Sequence, residues 1–193
     1  MKTEERKTVH LNAITEWRSW LELNHQTEQS VWVICNNKKS NLPTVSWSEL
    51  VDEALCFGWI DSTRKTIDKN SFMQFFSRRK PNSTWSKINK EKIERLIEDK
   101  LMTQAGIESI KIAKENGSWG ILDSVEELII PTDLESAFEN HSGSKEYFLG
   151  LSKSLRKMLL QWIVLAKRPE TRQKRIDEIA EQAGRKNKPK QFR

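Results

Sequence analysis

SWSELVDEALCFGWIDSTRKTIDKNSFMQFF, residues 46–76, changes its periodicity at Gly58, and that change decides the fold class. Ser46 and Glu49 stand at capping-box spacing, where a hydroxyl accepts from a free helix N–H and a carboxylate reaches back. Leu50, Val51, Ala54, Leu55 and Phe57 then follow a helical face, and Gly58 is a natural stop because it tolerates the left-handed conformation. After it, Trp59–Thr63 and Arg64–Asp68 read as extended chain with a bend, and Ser71–Phe76 as a further strand. Asp68-Lys69-Asn70 supplies the turn chemistry between them. Upstream, Ile14, Trp17, Leu21 and Asn24 are spaced for a helix over 13–24 with Asn12 as its N-cap, and β-branched Val31–Cys35 reads as a buried strand before a polar turn at Asn36–Asn41. These pieces build a small antiparallel sheet of three or four strands with a helix packed on one face.

The remainder reads as helix. Ile88, Ile93, Leu96, Ile97 and Leu101 form a stripe after a start at Ser83–Ser86, and residues 104–116 lie between Thr103 and Gly117. Thr132 and Glu135 repeat the capping-box spacing ahead of Leu134, Ala137 and Phe138. Leu155, Met158, Leu159, Trp162, Ile163 and Ala166 make an amphipathic helix. Pro169 suits the first turn of a last helix whose apolar face is Ile176, Ile179, Ala180 and Ala183. The expectation is an α+β protein with a helical C-terminal half. It divides as an α+β part over 1–100, a helical part over 101–184 and a basic tail over 185–193 that frays, together forming one compact unit.

Composition narrows the function classes. The chain has 193 residues, eight of them Trp, with 31% charged residues and a net charge of +6. Aromatic content of this kind belongs to a folded core and not to a disordered chain. No apolar run reaches the roughly 20 residues that cross a bilayer, and the polar start Met1–Lys7 lacks the apolar segment of a signal peptide. The expected compartment is the cytoplasm. Two cysteines, Cys35 and Cys56, and three scattered histidines give neither a disulfide framework nor a metal site, so no cofactor or metal is expected. The oligomeric state is left open. The charge alternates along the chain: net −3 over 1–63, +6 over 64–100, −6 over 101–152 and +9 over 153–193. Such blocks can form opposed faces or dock on one another.

Two motifs, Glu53-Ala54-Leu55-Cys56-Phe57-Gly58-Trp59-Ile60-Asp61 and Arg79-Lys80-Pro81 followed by Ser83-Thr84-Trp85-Ser86-Lys87-Ile88-Asn89, resemble the YdeI/OmpD-associated family, also labelled bacteriocin-protection. Ala166–Ile176 resembles that family's C-terminal helical signature, so the likeness runs from about Trp17 to Gly184. Ser62 stands where the family usually has Gly, and Arg78 where it commonly has Pro. The resemblance implies a bacterial protein in a stress or resistance setting.

Arg78, Arg79 and Lys80 precede a helix start, where free N–H groups favour an anion. Trp59 and Asp61 alternate onto one side of a strand, as an aromatic wall and a carboxylate. The expected site is therefore a cleft formed by Trp59, Asp61, Arg79, Ser83, Trp85 and Asn89 around a small anionic or aromatic-anionic ligand. The competing reading makes Trp59 and Trp85 core residues, Ser86 and Asn89 helix caps, and Asp61 a turn cap or a partner of Arg79. Cys56 reads as core, since a helix C-terminus disfavours a thiolate. The absence of a Gly-rich phosphate loop argues against an ordinary nucleotide hydrolase. No catalytic residue is assigned, although Asp61 is the candidate base were there a reaction. The alternative function is nucleic-acid binding through Lys167, Arg168, Arg172, Lys174 and Arg175, with surface solvation or pairing to the acidic block as the plainer explanation.

Overall fold

The computed structural model describes residues 7–37 and 42–192. The expectations about the start of the chain at Met1–Arg6, part of the polar turn (residues 38–41) and Arg193 lie outside the described residues. The chain divides after Trp119 into two compact units.

The first unit runs β1 (Thr8–His10), α1 (Ile14–Asn24), β2 (Ser30–Asn36), α2 (Trp47–Cys56), β3 (Trp59–Thr66), β4 (Ser71–Arg78), α3 (Lys87–Glu98) and α4 (Gln104–Glu115). Its sheet has the order β1-β2-β4-β3. The β2–β4 and β4–β3 pairs are antiparallel as expected. The edge strand β1 was not foreseen, and it pairs parallel to β2, so the sheet is mixed. Three residues with one apolar side chain carry too little pattern to read as a strand.

The bend expected after Asp61 is a break in the β3–β4 register between Asp61 and Arg64. Asp68 closes the hairpin by accepting from the N–H groups of Asn70 and Ser71 at 2.7 and 2.8 Å. Strand alternation sends Val31, Val33, Cys35, Phe72 and Phe76 to the buried face. Against that face pack the rings of α1: Trp17 lies 5.1 Å from Phe76, and Trp20 meets Trp59 edge-on at 5.7 Å. Trp17 donates its indole N–H to the Leu50 carbonyl of α2 at 3.0 Å, which satisfies the one polar atom of a fully buried ring.

Both halves of the Ser46–Glu49 capping box form. Ser86 caps α3 by accepting from the Asn89 N–H, but the expected apolar stripe of α3 narrows to Ile93 and Leu96, leaving Ile88 60% and Ile97 48% exposed. Lys92 turns the helix instead, donating to Ser48 and Asp52 of α2 at 2.6 Å each, while Arg95 takes the other Asp52 oxygen. Helix α4, grouped by sequence with the helical part, belongs to the first unit. It lies against the Cys56–Gly58 turn, and two glycines permit this. Gly58 sits at φ +71°, and a Cβ on Gly106 would stand 2.3 Å from the Cys56 carbonyl oxygen.

The second unit holds α5 (Asp123–Glu126), α6 (Thr132–Glu139), α7 (Ser144–Gly150), α8 (Lys153–Val164) and α9 (Pro169–Gly184). Leu134, Phe138, Phe148, Leu159, Leu160, Ile163 and the foreseen α9 face of Ile176, Ile179, Ala180 and Ala183 make its core. Two details differ from expectation. Pro131 is the N-cap of α6 and its carbonyl accepts from Leu134 and Glu135, so Thr132 opens the helix and does not cap it. The tail is seated where fraying was expected. Phe192 meets Trp162 edge-on at 5.6 Å, and Pro189 is buried.

Gly106→Ala is expected to destabilise the protein by at least about 2–3 kcal/mol, because the clash is with backbone and cannot be relieved by a side-chain turn. Gly117→Ala meets open space and costs only the left-handed backbone, about 1–2 kcal/mol. Urea unfolding of the two variants checks the order.

Candidate functional site

The site follows from where α4 is anchored. At its N-terminal end the Thr103 hydroxyl and N–H both donate to the Cys56 carbonyl, at 2.7 and 3.1 Å. Just past its C-terminal end, the Asn116 side-chain amide and the Ser118 hydroxyl donate to the Pro81 carbonyl, at 2.9 and 3.2 Å. The Arg79 N–H closes the third side on the Gly58 carbonyl at 2.9 Å. Between these anchors a cleft of about 300 Å³ remains, at the small end of ligand cavities. One wall is the α4 face Ala105, Glu108, Ser109 and Ile112, spaced at three and four residues; the other is Arg78–Pro81 with Trp85; Phe57–Trp59, His25 and Gln26 complete it.

Arg79 is the most constrained of these groups. Its guanidinium lies over the Trp85 ring at 3.6 Å, and its Nη2 donates to the Thr84 carbonyl at 2.9 Å. Its Nε is buried without a partner, as are Nε and Nη2 of Arg78. Burial pushes the Arg79 guanidinium down to about 10, and the charge of Asp61 opposes that shift. The group still carries its charge at neutral pH. Each buried N–H left unmet costs about 1–3 kcal/mol, so three of them around one cleft are a standing debit in the free protein. Lys80 adds a third cation at the rim, and Glu108 is the one carboxylate among the lining residues.

Of the six residues expected to converge, Trp59, Arg79 and Trp85 line the cleft; Asp61, Ser83 and Asn89 do not. Asp61 accepts from the Trp47 indole at 2.9 Å and from the Gln74 amide at 3.3 Å, the second donor being almost wholly buried. It serves the register break and not the cleft, so it is no general base there. Asn89 supplies its backbone N–H to the Ser86 cap. The aromatic roles also change. Trp59 and Trp85 are 0% and 1% exposed, as core residues are, whereas Trp47 is 44% exposed. The face of Trp85 is covered by Arg79, so it holds the cation and does not stack on a ligand. The Trp59 indole donates to the His25 carbonyl at 3.3 Å. Sequence reasoning noticed Arg78 and Lys80 only as added charge. It missed His25 and the α4 residues because a helical stripe does not say which side of the helix faces a cavity.

In the second unit, Arg172 grips Asp133 with Nε and Nη2 at 2.7 and 3.0 Å. Arg175 donates to the Trp162 carbonyl and lies 5.1 Å over that ring. Lys167, Arg168 and Lys174 are exposed. Two of the five cations considered for nucleic acid are therefore tied down within the unit, Arg172 to the acidic block.

Residues 9–109 match the family described as Domain of unknown function (DUF8412), and residues 127–186 the family described as Bacteriocin-protection, YdeI or OmpD-Associated. The chain belongs to the DUF8412 family, whose model covers just over half of it, and its C-terminal segment is similar to the YdeI/OmpD-associated family. No curated protein and no solved structure matches it. The YdeI/OmpD-associated match includes the C-terminal signature Ala166–Ile176, whereas the Glu53–Asp61 and Arg79–Asn89 motifs fall in the DUF8412 segment together with every cleft residue but Ile112. Among the described residues no helix is long and apolar enough to cross a membrane.

Both cysteines of this DUF8412 chain are buried, and burial pushes each thiol up to about 11, Glu53 adding to the effect at Cys56. A raised pKa keeps the thiols neutral, with about one in a thousand ionised at pH 8. The native protein is expected to resist a disulfide reagent at pH 8 and to react at both cysteines once unfolded; rapid labelling of the folded protein would contradict the burial.

Proposed function

We propose that the DUF8412 segment binds a small anion in the cleft between α4 and Arg78–Trp85, and that the protein works as a cytoplasmic binding protein in the protective setting its second family's description names. The observation that carries this is the set of three buried, unpartnered guanidinium nitrogens on Arg78 and Arg79. A buried cation is ordinarily matched by a carboxylate. Among the described residues no carboxylate is hydrogen-bonded to either arginine, and Asp61, whose charge acts on Arg79, accepts through Oδ2 from Trp47 and Gln74. Trp85 and Thr84 hold Arg79 in place before any ligand arrives, which lowers the ordering cost of binding. The apolar ring faces are committed to the protein, so the reading favours an anion without an obligatory aromatic group. Nucleic-acid binding through the C-terminal cations is disfavoured by the Arg172–Asp133 pair and the Arg175 contacts.

The test is a calorimetric titration with inorganic phosphate and with citrate at low salt. Binding is expected, and Arg79→Met is expected to weaken it about 10–100-fold, the value of one charge-assisted hydrogen bond. Arg168→Ala serves as a control and leaves it unchanged. If neither anion binds at millimolar concentration, or Arg79→Met binds as tightly as the parent, the reading fails.

A further inference from the structure

One chain contains the same arginine edge twice, once filled and once empty. In Arg172 the Nε and Nη2 hydrogens, which project side by side, hold the two oxygens of Asp133. In Arg78 the same two nitrogens have no partner and are closed to solvent. That edge matches a planar pair of oxygens two bonds apart, which is the shape of a carboxylate. Arg79 adds its unpartnered Nε, while Nη2 is on Thr84 and one face of the group is against Trp85.

The cleft also offers acceptors, and these are what a bare anion would leave unused. His25 has its Nδ1 2.8 Å from the Leu21 carbonyl. A carbonyl only accepts, so the proton is on Nδ1, and Nε2 of the neutral ring is left as an acceptor. Glu108, exposed on α4, adds a carboxylate to the same cleft. Phe57 and Ile112 provide apolar lining. A ligand that satisfies all of these carries a carboxylate, a protonated amine and a modest apolar group in about 300 Å³.

We infer that the cleft binds a free amino acid, its carboxylate on the Arg78 edge and Arg79 Nε, its ammonium between His25 Nε2 and Glu108. This rests on the anion-binding reading and deepens it. Because the Arg78 edge is closed to solvent, capture requires that guanidinium to turn toward the cavity, while Arg79 stays fixed on Trp85.

The twenty L-amino acids are screened by thermal shift on the full chain. The best binder is then compared by calorimetry with its deaminated acid and its decarboxylated amine; for L-leucine these are 4-methylpentanoate and 3-methylbutylamine. The amino acid is expected to bind at least tenfold more tightly than the acid, and the amine not to bind. Glu108→Gln is expected to erase the preference for the amino acid while changing the affinity for the acid less than twofold. Arg78→Lys, which keeps the charge and loses the paired donors, weakens both about tenfold. Equal, Arg78-dependent binding of acid and amino acid overturns the ammonium site and leaves anion binding standing. Binding of phosphate with no response to any amino acid overturns the carboxylate assignment alone. No binding of phosphate, citrate or any amino acid overturns both.

Discussion

The cleft depends on how closely α4 lies against the Cys56–Gly58 turn. A helix can ride on backbone at that distance only where a Cβ is missing, and Gly106 and Gly58 supply the two absences. From that contact Thr103 reaches the Cys56 carbonyl, and the far end of the helix reaches the Pro81 carbonyl. Arg78–Pro81 is then held facing α4 with space between. Any change that lifts the helix widens the cleft and gives the buried guanidinium groups to water, which removes the reason for a ligand to bind there.

That placement sets a balance of electrostatic terms. A charged group moved out of water loses solvation, and the loss is offset only when hydrogen bonds and an opposite charge replace the water. Arg79 has an aromatic face and one carbonyl, and its depressed pKa reports that these compensate it only in part. Arg172, half exposed and bidentate on Asp133, shows the compensated case within one molecule. The contrast is what supports the proposal that Arg78 and Arg79 bind a ligand, whereas Arg172 is committed to structure. The division agrees with the family matches, since Arg78 and Arg79 lie in the DUF8412 segment and Arg172 in the YdeI/OmpD-associated one.

The fold class was legible because its signals are local. The Ser46–Glu49 capping box, the Gly58 stop, the Asp68 turn and the α9 apolar face each involve residues within a few positions of one another, and each stands where its pattern put it. Where tertiary partners decide, the pattern misled. Ile88 and Ile97 stay exposed on α3 because Lys92 and Arg95 orient it through Asp52. Asp61 shares a strand side with Trp59, but the register break two residues on delivers it to Trp47 and Gln74. The cleft shows both cases: Trp59, Arg79 and Trp85 converge through the turn that local sequence encodes, while His25, Glu108 and Ile112 arrive through packing between distant segments.

The central claim is that the Nε–H groups of Arg78 and Arg79 are vacant donors awaiting an anionic ligand. A proton–nitrogen correlation spectrum tuned to arginine Nε–H groups tests it directly, with Arg78→Lys and Arg79→Lys identifying the two signals. Two solvent-protected resonances are expected in the free protein, and both should shift on titration with inorganic phosphate or the best-binding amino acid. Two resonances that stay fixed at saturating concentrations of every anion tried, or that exchange freely with water from the start, would contradict the account.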